Sequence, residues 1–286
     1  MEPELINTNF WDLLNDRRAR LTKSGRIVAE YLTEHPEEAQ YFSISSLAEA
    51  CGVAEATVFR FCRSLGFDGY NGMRIALARA GSGKGHIFPN APSPEDDTAT
   101  LCTHTASSFQ SVINATQSVL EPNAIDRAAL MLQYATQVFC FGQGSNLGLA
   151  NDIWARFSTI STKFRTAGDS HLQLISASLM GPDDVILFVS YSGATRDTLD
   201  TLRTAHDNGA KIILITHYAN APAAELADVV LMCGGRENPF DSSSIPMKIA
   251  VMYIAEVLVL RYTLDNQELT NKARERTSHV LALKLV

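Results

Sequence analysis

Residues 185–195 read VILFVSYSGAT, and this stretch decides the fold class of the larger part of the chain. Five consecutive apolar residues lead into two serines, a glycine and a threonine, after which 195–208 turns polar with helical spacing. An uninterrupted apolar run is how a strand buried on both faces reads, and alternation with helices is the mark of a parallel sheet. The same pattern extends outward in both directions. Segments 138–141, 162–165, 212–216 and 229–232 join 185–190 as strand candidates, with helical patterns near 147–160, 171–179, 195–208 and 222–227 between them. Further helices are expected at 98–120, at 126–135 behind an Asp126 cap, at 244–264 and over the last twenty residues. Together these predict a three-layer α/β/α sandwich on a five-stranded parallel sheet, with ligand sites at the carboxyl ends of its strands.

Composition changes upstream of this region. Residues 81–97, GSGKGHIFPNAPSPEDD, hold three glycines and three prolines and no helical or strand period, so they read as a linker between 1–80 and 98–286. Two domains suit a chain of 286 residues, at roughly 150 residues per domain. The most apolar window, 249–260, is broken by Glu256 and flanked by Lys248 and Arg261, short of the ~20 residues a bilayer crossing needs. The first residues, MEPELINTNFWD, are acidic where a signal peptide is basic and then apolar. Neither membrane insertion nor secretion is expected. Cys51, Cys62, Cys102, Cys140 and Cys233 form no C-x-x-C pair, and the histidines show no metal-ligand spacing. A reducing cytoplasm fits, and no metal or other cofactor is called for.

Before the linker every periodic segment is helical. Ile44, Leu47, Ala48 and Cys51 recur at i, i+3, i+4 and i+7; Gly52 supplies a turn; Val58, Phe61, Cys62 and Leu65 repeat the spacing, and Gly66 ends it. Two short helices joined by a glycine-containing turn have helix-turn-helix geometry, with 21–33 as a supporting helix. Ala56, Thr57, Arg60, Arg63 and Ser64 fall on the face opposite the second stripe. Arg60 suits a guanine edge, and Thr57 and Arg63 suit phosphates. The net charge of −7 runs against nucleic acid as a whole-chain average. Locally the sign reverses: residues 17–26, RRARLTKSGR, carry five positive charges and no negative one, and over 54–79 Arg60, Arg63, Arg74 and Arg79 face only Glu55 and Asp68. A solvated polar face on a three-helix bundle would read the same way.

The run SISSLAEACGVAEATVFRFCRSLGFDGYNGMR (43–74) closely resembles the helix-turn-helix of RpiR-type bacterial transcription regulators. The resemblance is carried by Leu47-Ala48, Gly52-Val53, Ala56-Thr57-Val58, Arg60-Phe61, Leu65-Gly66-Phe67 and Gly69. It implies a DNA-reading second helix with Glu55, Thr57, Arg60, Arg63 and Ser64 at the interface. Ala54 stands where that family usually has serine, a loss of about 1 kcal/mol of N-capping. Glu55 still favours the helix start through the dipole.

Two loops follow strand candidates and precede helices: Phe141-Gly142-Gln143-Gly144-Ser145-Asn146 and Ser190-Tyr191-Ser192-Gly193-Ala194-Thr195. Hydroxyls beside the unpaired amides of a helix start can hold an anion without a lysine, although the same residues also serve as ordinary caps. A dinucleotide site does not fit. The glycines at 142, 144 and 148 miss the G-x-G-x-x-G spacing, and Arg165-Thr166 stands where an acidic residue would hold a ribose. Together with Asp184-Val185, Gly209-Ala210, Thr216 and Ala227-Asp228, the loops resemble the sugar isomerase (SIS) domain that follows the helix-turn-helix in RpiR-type regulators. That resemblance implies binding of a phosphorylated sugar or sugar acid. Ser190, Ser192, Gly193 and Thr195 would hold the phosphate, and Gly144, Ser145 and Asn146 would line the same pocket. Some SIS proteins have serine at the Asn146 position, and 217–223, HYANAPA, departs from the usual Ser-Pro-Leu. An isomerase needs a base; Glu237, His171 and His217 are available, but none sits in a recognisable catalytic motif. The expected function is a cytoplasmic DNA-binding regulator of carbohydrate metabolism. It would act as at least a homodimer on a palindromic double-stranded operator, with a phosphosugar effector and no membrane partner. A sugar-phosphate isomerase or lyase, and a structural DNA binder whose sheet domain only dimerises, are the competing classes.

Overall fold

Amphipathic stripes at the N-terminal end close on one another as six helices: α1 (Phe10–Arg17), α2 (Lys23–Glu34), α3 (Pro36–Ala39), α4 (Ile44–Ala50), α5 (Glu55–Ser64) and α6 (Tyr70–Gly81). The computed structural model describes residues 10–39, 42–81, 95–235 and 245–284, without the side chains of Ala19, Glu37, Glu38, Ala78 and Arg79. Most of the expected linker, 82–94, and the candidate base Glu237 lie outside the described residues. Contacts divide the chain into two units, one running through Gln110 and the other comprising Ser111–Gly235 and the helices after it.

In the first unit Val58, Phe61, Cys62 and Leu65 of the α5 stripe are all buried, against Leu47, Ala48, Val28, Leu32 and Phe10. Gly66 takes φ +87°, and the Phe67 amide reaches the Cys62 carbonyl at 3.0 Å, closing α5 as a glycine C-cap. The two helices of the motif begin differently. Ser43 Oγ accepts from the Ser46 amide at 3.0 Å to cap α4, whereas Ala54 has no side chain for that purpose. The Thr57 amide turns instead to the Ala54 carbonyl, at 2.8 Å. α1, with Phe10, Leu13 and Leu14 buried, is a helix that the sequence periodicity above does not predict.

The second unit takes in the part of α7 (Thr98–Val119) from Ser111 on, then α8 (Pro122–Tyr134), β1 (Gln137–Gly142), α9 (Asn146–Ser158), β2 (Phe164–Thr166), α10 (Ser170–Ser178), β3 (Asp184–Val189), α11 (Arg196–Asp207), β4 (Lys211–Thr216), β5 (Val229–Met232), α12 (Ile245–Asp265) and α13 (Gln267–Ala282). The five strands are all parallel, in the order β2-β1-β3-β4-β5. Alternate residues of β3 feed two cores. Val185, Leu187 and Val189 pack with α8, α9 and α12, and Ile186 and Phe188 pack with α10 and α11. These are the three layers the apolar runs predict.

Two local expectations are corrected. Asp126 caps nothing: α8 starts four residues earlier at Pro122, behind Glu121, because proline's fixed φ pre-forms the first helical position. The helix expected over 222–227 is only a 3-10 turn, Ala224–Leu226.

Candidate functional site

In the strand order β2-β1-β3-β4-β5, the sense in which successive strands are added reverses between β1 and β3, and ligands of open parallel sheets bind outside the carboxyl ends at that point. Gly142 pairs with Val189 across the two strands, so the loops that follow them stand side by side. A Cβ on Gly142 would lie 2.7 Å from the Asn146 carbonyl oxygen and 3.2 Å from that of Val189. Only glycine lets the first loop fold this tightly against its neighbour. Buried Gln173 of α10 ties the same corner down, donating through Nε2 to the Gly142 carbonyl at 2.9 Å and the Ala167 carbonyl at 3.2 Å.

The second loop is built around Gly193, at φ +57°. A Cβ there would lie 2.5 Å from the Ala221 Cβ, and the Gly193 carbonyl accepts from the Ala223 amide at 3.0 Å. Ser190 is buried inside the loop. Its Oγ accepts from the Gly193 amide at 3.2 Å and lies 3.4 Å from Thr198 Oγ1. Thr195 occupies the N-cap of α11 but makes no capping bond to the backbone; its Oγ1 pairs with Thr198 Oγ1 at 2.7 Å. The amides of the first turn of α11 therefore have no hydroxyl cap, the state in which a helix start accepts an anion. Ser192 is half-buried, while Thr195, Gly144 and Ser145 are exposed and Asn146 is half-buried. Ser145 likewise makes no capping bond at the start of α9. No cation lies within 190–195; exposed Arg196 comes next and stands 3.7 Å from Asp200.

Behind this loop the Tyr191 and His217 rings stack at 4.9 Å and 10°, and Tyr218 meets both edge-on. His217 Nδ1 lies 2.9 Å from the Cys233 carbonyl oxygen, an acceptor only, so Nδ1 is the protonated nitrogen. Burial holds the imidazole below the usual histidine range, against the opposing pull of that carbonyl. His171 is exposed on α10. A cavity of about 270 Å³ lined by Met131, Tyr134, Pro182 and Lys211 opens at the opposite, amino-terminal edge of the sheet, away from both loops. Among the described residues no group of His, Cys, Asp and Glu is placed to hold a metal ion, and no helix is long and apolar enough to cross a membrane.

On α5, Glu55, Arg60, Arg63 and Ser64 are exposed and Thr57 is half-buried at the same surface. Arg60 Nη2 donates to Thr57 Oγ1 at 3.2 Å, so the two act together one helical turn apart. Arg63 pairs with Asp68 at 3.2 Å, both side chains more than half exposed, an arrangement weak enough to be exchanged for another anion. The Ser64 hydroxyl donates to the Phe61 carbonyl at 2.7 Å and stays available only as an acceptor. Sequence reading missed Phe59, whose ring is 45% exposed on this helix, along with Thr198 and Gln173 in the sheet loops. Thr198 had a signal, a hydroxyl three residues after Thr195. Gln173 had none.

Two family models match the chain. The model of the helix-turn-helix domain of the rpiR family matches residues 8–84, and that of the SIS domain matches residues 131–260. The HTH-type transcriptional regulator HexR of Pseudomonas aeruginosa is 31% identical over 264 residues, 90% of each chain. RpiR of Escherichia coli K12 is 26% identical over 268 residues, 94% of this chain and 90% of the relative. Among solved structures, Vibrio vulnificus NanR complexed with ManNAc-6P has the same fold, with a TM-score of 0.83 and 24% identity over 96% of this chain and 99% of that one. The chain thus belongs to the rpiR family of helix-turn-helix transcriptional regulators that carry an SIS domain.

Proposed function

We propose that the protein is a regulator whose DNA binding responds to a phosphorylated sugar or sugar acid held at the carboxyl ends of β1 and β3. The observation that carries this reading is the pair of abutting loops at the switch point, where Ser145, Ser192 and Thr195 offer hydroxyls beside helix starts without side-chain caps. In this reading the amides of the first turn of α11 hold the phosphate with Ser192, Gly193 and Thr195. Gly144, Ser145 and Asn146 face the remainder of the ligand. Ser190 contributes by fixing the Gly193 amide rather than by offering its own hydroxyl. That NanR was solved with ManNAc-6P supports a phosphosugar as the ligand class.

On the DNA side, Arg60 takes a guanine edge and Thr57 and Arg63 take phosphates, while Ser64, its proton committed to the Phe61 carbonyl, lines the same face and Glu55 steadies the helix start. Two copies would grip half-sites about one turn apart on a palindrome, which makes the working unit at least a homodimer. A cytoplasmic sensor of carbohydrate metabolism fits better than an isomerase or lyase. His171 lies on exposed α10, and His217 has one ring nitrogen committed to the Cys233 carbonyl.

The test is a thermal-shift screen of the full chain with phosphorylated sugars and sugar acids, alongside their unphosphorylated forms and inorganic phosphate. A saturable rise with one phosphosugar, reduced in Ser192→Ala and Ser145→Ala, is expected. If both variants respond like the parent, the assignment of the phosphate to these loops is wrong. Turnover of the same compound would favour the enzyme instead.

A further inference from the structure

The basic run at 17–26 takes no part in the reading of α5, yet the fold brings it to that helix. Arg17 Nη1 donates to the Ser64 carbonyl at 2.9 Å, joining the end of α1 to the last turn of α5. From there the chain makes a 3-10 turn, Arg18–Arg20, buries Leu21, and enters α2 behind a Thr22 cap. Arg18, Arg20, Lys23 and Arg26 are all exposed within nine residues that contain no carboxylate. Among the described residues, none of the four is in an ion pair.

Their placement is also unfavourable for the helix itself. The first turn of α2 contains no acidic residue, and Lys23 and Arg26 put positive charge at the positive end of the helix dipole, where stability alone would select Asp or Glu. A chain of net charge −7 has carboxylates in excess, so four clustered cations left without them mark a surface kept for an anion outside the molecule.

We infer that Arg18, Arg20, Lys23 and Arg26 form a second DNA contact, a ledge that grips the phosphates bordering the groove into which α5 inserts. The inference rests on the DNA-binding reading of α5. The dimensions agree: α5 has ten residues and so spans ~15 Å, against a major groove ~12 Å wide. With Arg60 over a base edge, the last turn of α5 reaches the groove wall, where Arg17 joins it to the ledge. Contacts of this kind fix register and supply affinity without reading sequence.

The experiment uses the full chain, an operator selected in vitro by the parent, and a random duplex of equal length, with affinities measured between 50 and 200 mM salt. The variant is Arg18→Ala/Arg20→Ala/Lys23→Ala/Arg26→Ala, its folding checked by thermal unfolding. Each phosphate contact contributes roughly 0.9 to the slope of log K against log salt, so loss of four should reduce that slope by about 3 to 4. Both duplexes should weaken by the same factor, leaving their ratio within about twofold. Arg18→Lys/Arg20→Lys/Arg26→Lys should keep the parent slope, since point charges suffice. An unchanged slope in the alanine variant overturns the ledge, as does a changed operator-to-random ratio or a loss of slope in the lysine variant. A parent that selects no duplex fails earlier, and overturns the DNA reading of α5 itself.

Discussion

Gly193→Ala tests the geometry on which the proposed effector loop depends. An added methyl would lie 2.5 Å from the Ala221 Cβ, while its other neighbours, the Ala223 Cβ and Thr216 Oγ1, stand at 3.4 Å. The residue also sits at φ +57°. Two separable costs follow. An L-residue in the left-handed region loses about 1–2 kcal/mol relative to glycine. Forcing a methyl into packed space adds about 1–3 kcal/mol. The single variant should therefore destabilise the C-terminal unit by about 2–5 kcal/mol, or roughly 4–20 °C for a unit of this size.

Ala221→Gly removes the colliding methyl but leaves φ untouched. In a double-mutant cycle the coupling energy isolates the collision, so the pair should be about 1–3 kcal/mol more stable than the sum of the singles. The assay is convenient because the chain has two tryptophans, Trp11 on α1 and Trp154 on α9. Urea titration followed by Trp154 fluorescence in a Trp11→Phe background reports the C-terminal unit, with the slope checked for constancy. A single variant within about 0.5 kcal/mol of the parent, or a double variant no better than additive, would refute the claim that Gly193–Ala221 packing fixes the loop.

Three further outcomes follow from the structure. Ala54→Ser should stabilise the N-terminal unit by about 0.5–1 kcal/mol, the lower half of the usual capping range, because the Thr57 amide already has the Ala54 carbonyl at 2.8 Å; an unchanged Trp11-reported midpoint would contradict this. For His217, burial lowers the folded pKa, so its contribution to stability is full above the unfolded value of about 6.5 and is lost as pH falls through the lower folded value. The parent should accordingly lose more melting temperature than His217→Gln between pH 7.5 and 5, and equal losses would rule the group out. Among the thiols, burial raises Cys51 to about 11 and Cys62 and Cys233 to about 12, and raises Cys140 as well, while Cys102 is exposed. Mass spectrometry after brief native alkylation should find one label, on Cys102, and five only after denaturation.

How far the sequence could be read depended on the range of the forces involved. Strands β1, β3 and β4 were legible because burial on both faces leaves no polar alternation, and the α5 stripe because all four of its apolar residues reach one core. Helix starts were less so: Asp126 looked like a cap, yet Pro122 had already begun the turn. The loops were found but not their internal division of labour. That Ser190 turns inward to Gly193 while Ser192 stays accessible depends on where β4 and the 221–223 segment pass, which local spacing does not encode. Gln173 reaches Gly142 across 31 residues of chain, and no pattern around it marks that role. Arg63 was placed correctly on the outer face of α5, but its partner Asp68 lies beyond the turn that the periodicity ends at.

The absence of a cation from 190–195 bears on how the proposed sensor could work. A lysine on a flexible stem would follow a phosphate through small movements of the loop and hold it almost equally in either arrangement. A ligand held equally in two states shifts neither. Amides and short hydroxyls have no such reach. Here they are fixed to a loop whose Gly193 is bonded to Ser190 and Ala223 and packed on Ala221, so their aim is that of the backbone. A displacement of about 1 Å would lengthen several charge-assisted hydrogen bonds at once, each worth about 1.5–3 kcal/mol. Moving a two-state equilibrium from 1:99 to 99:1 takes about 5.5 kcal/mol of differential affinity, which two or three such bonds supply. Rigid dipoles therefore discriminate between conformations where a mobile charge would not, and the same rigidity makes Gly193 and Ser190, rather than any charged residue, the positions at which response to ligand should be most easily lost.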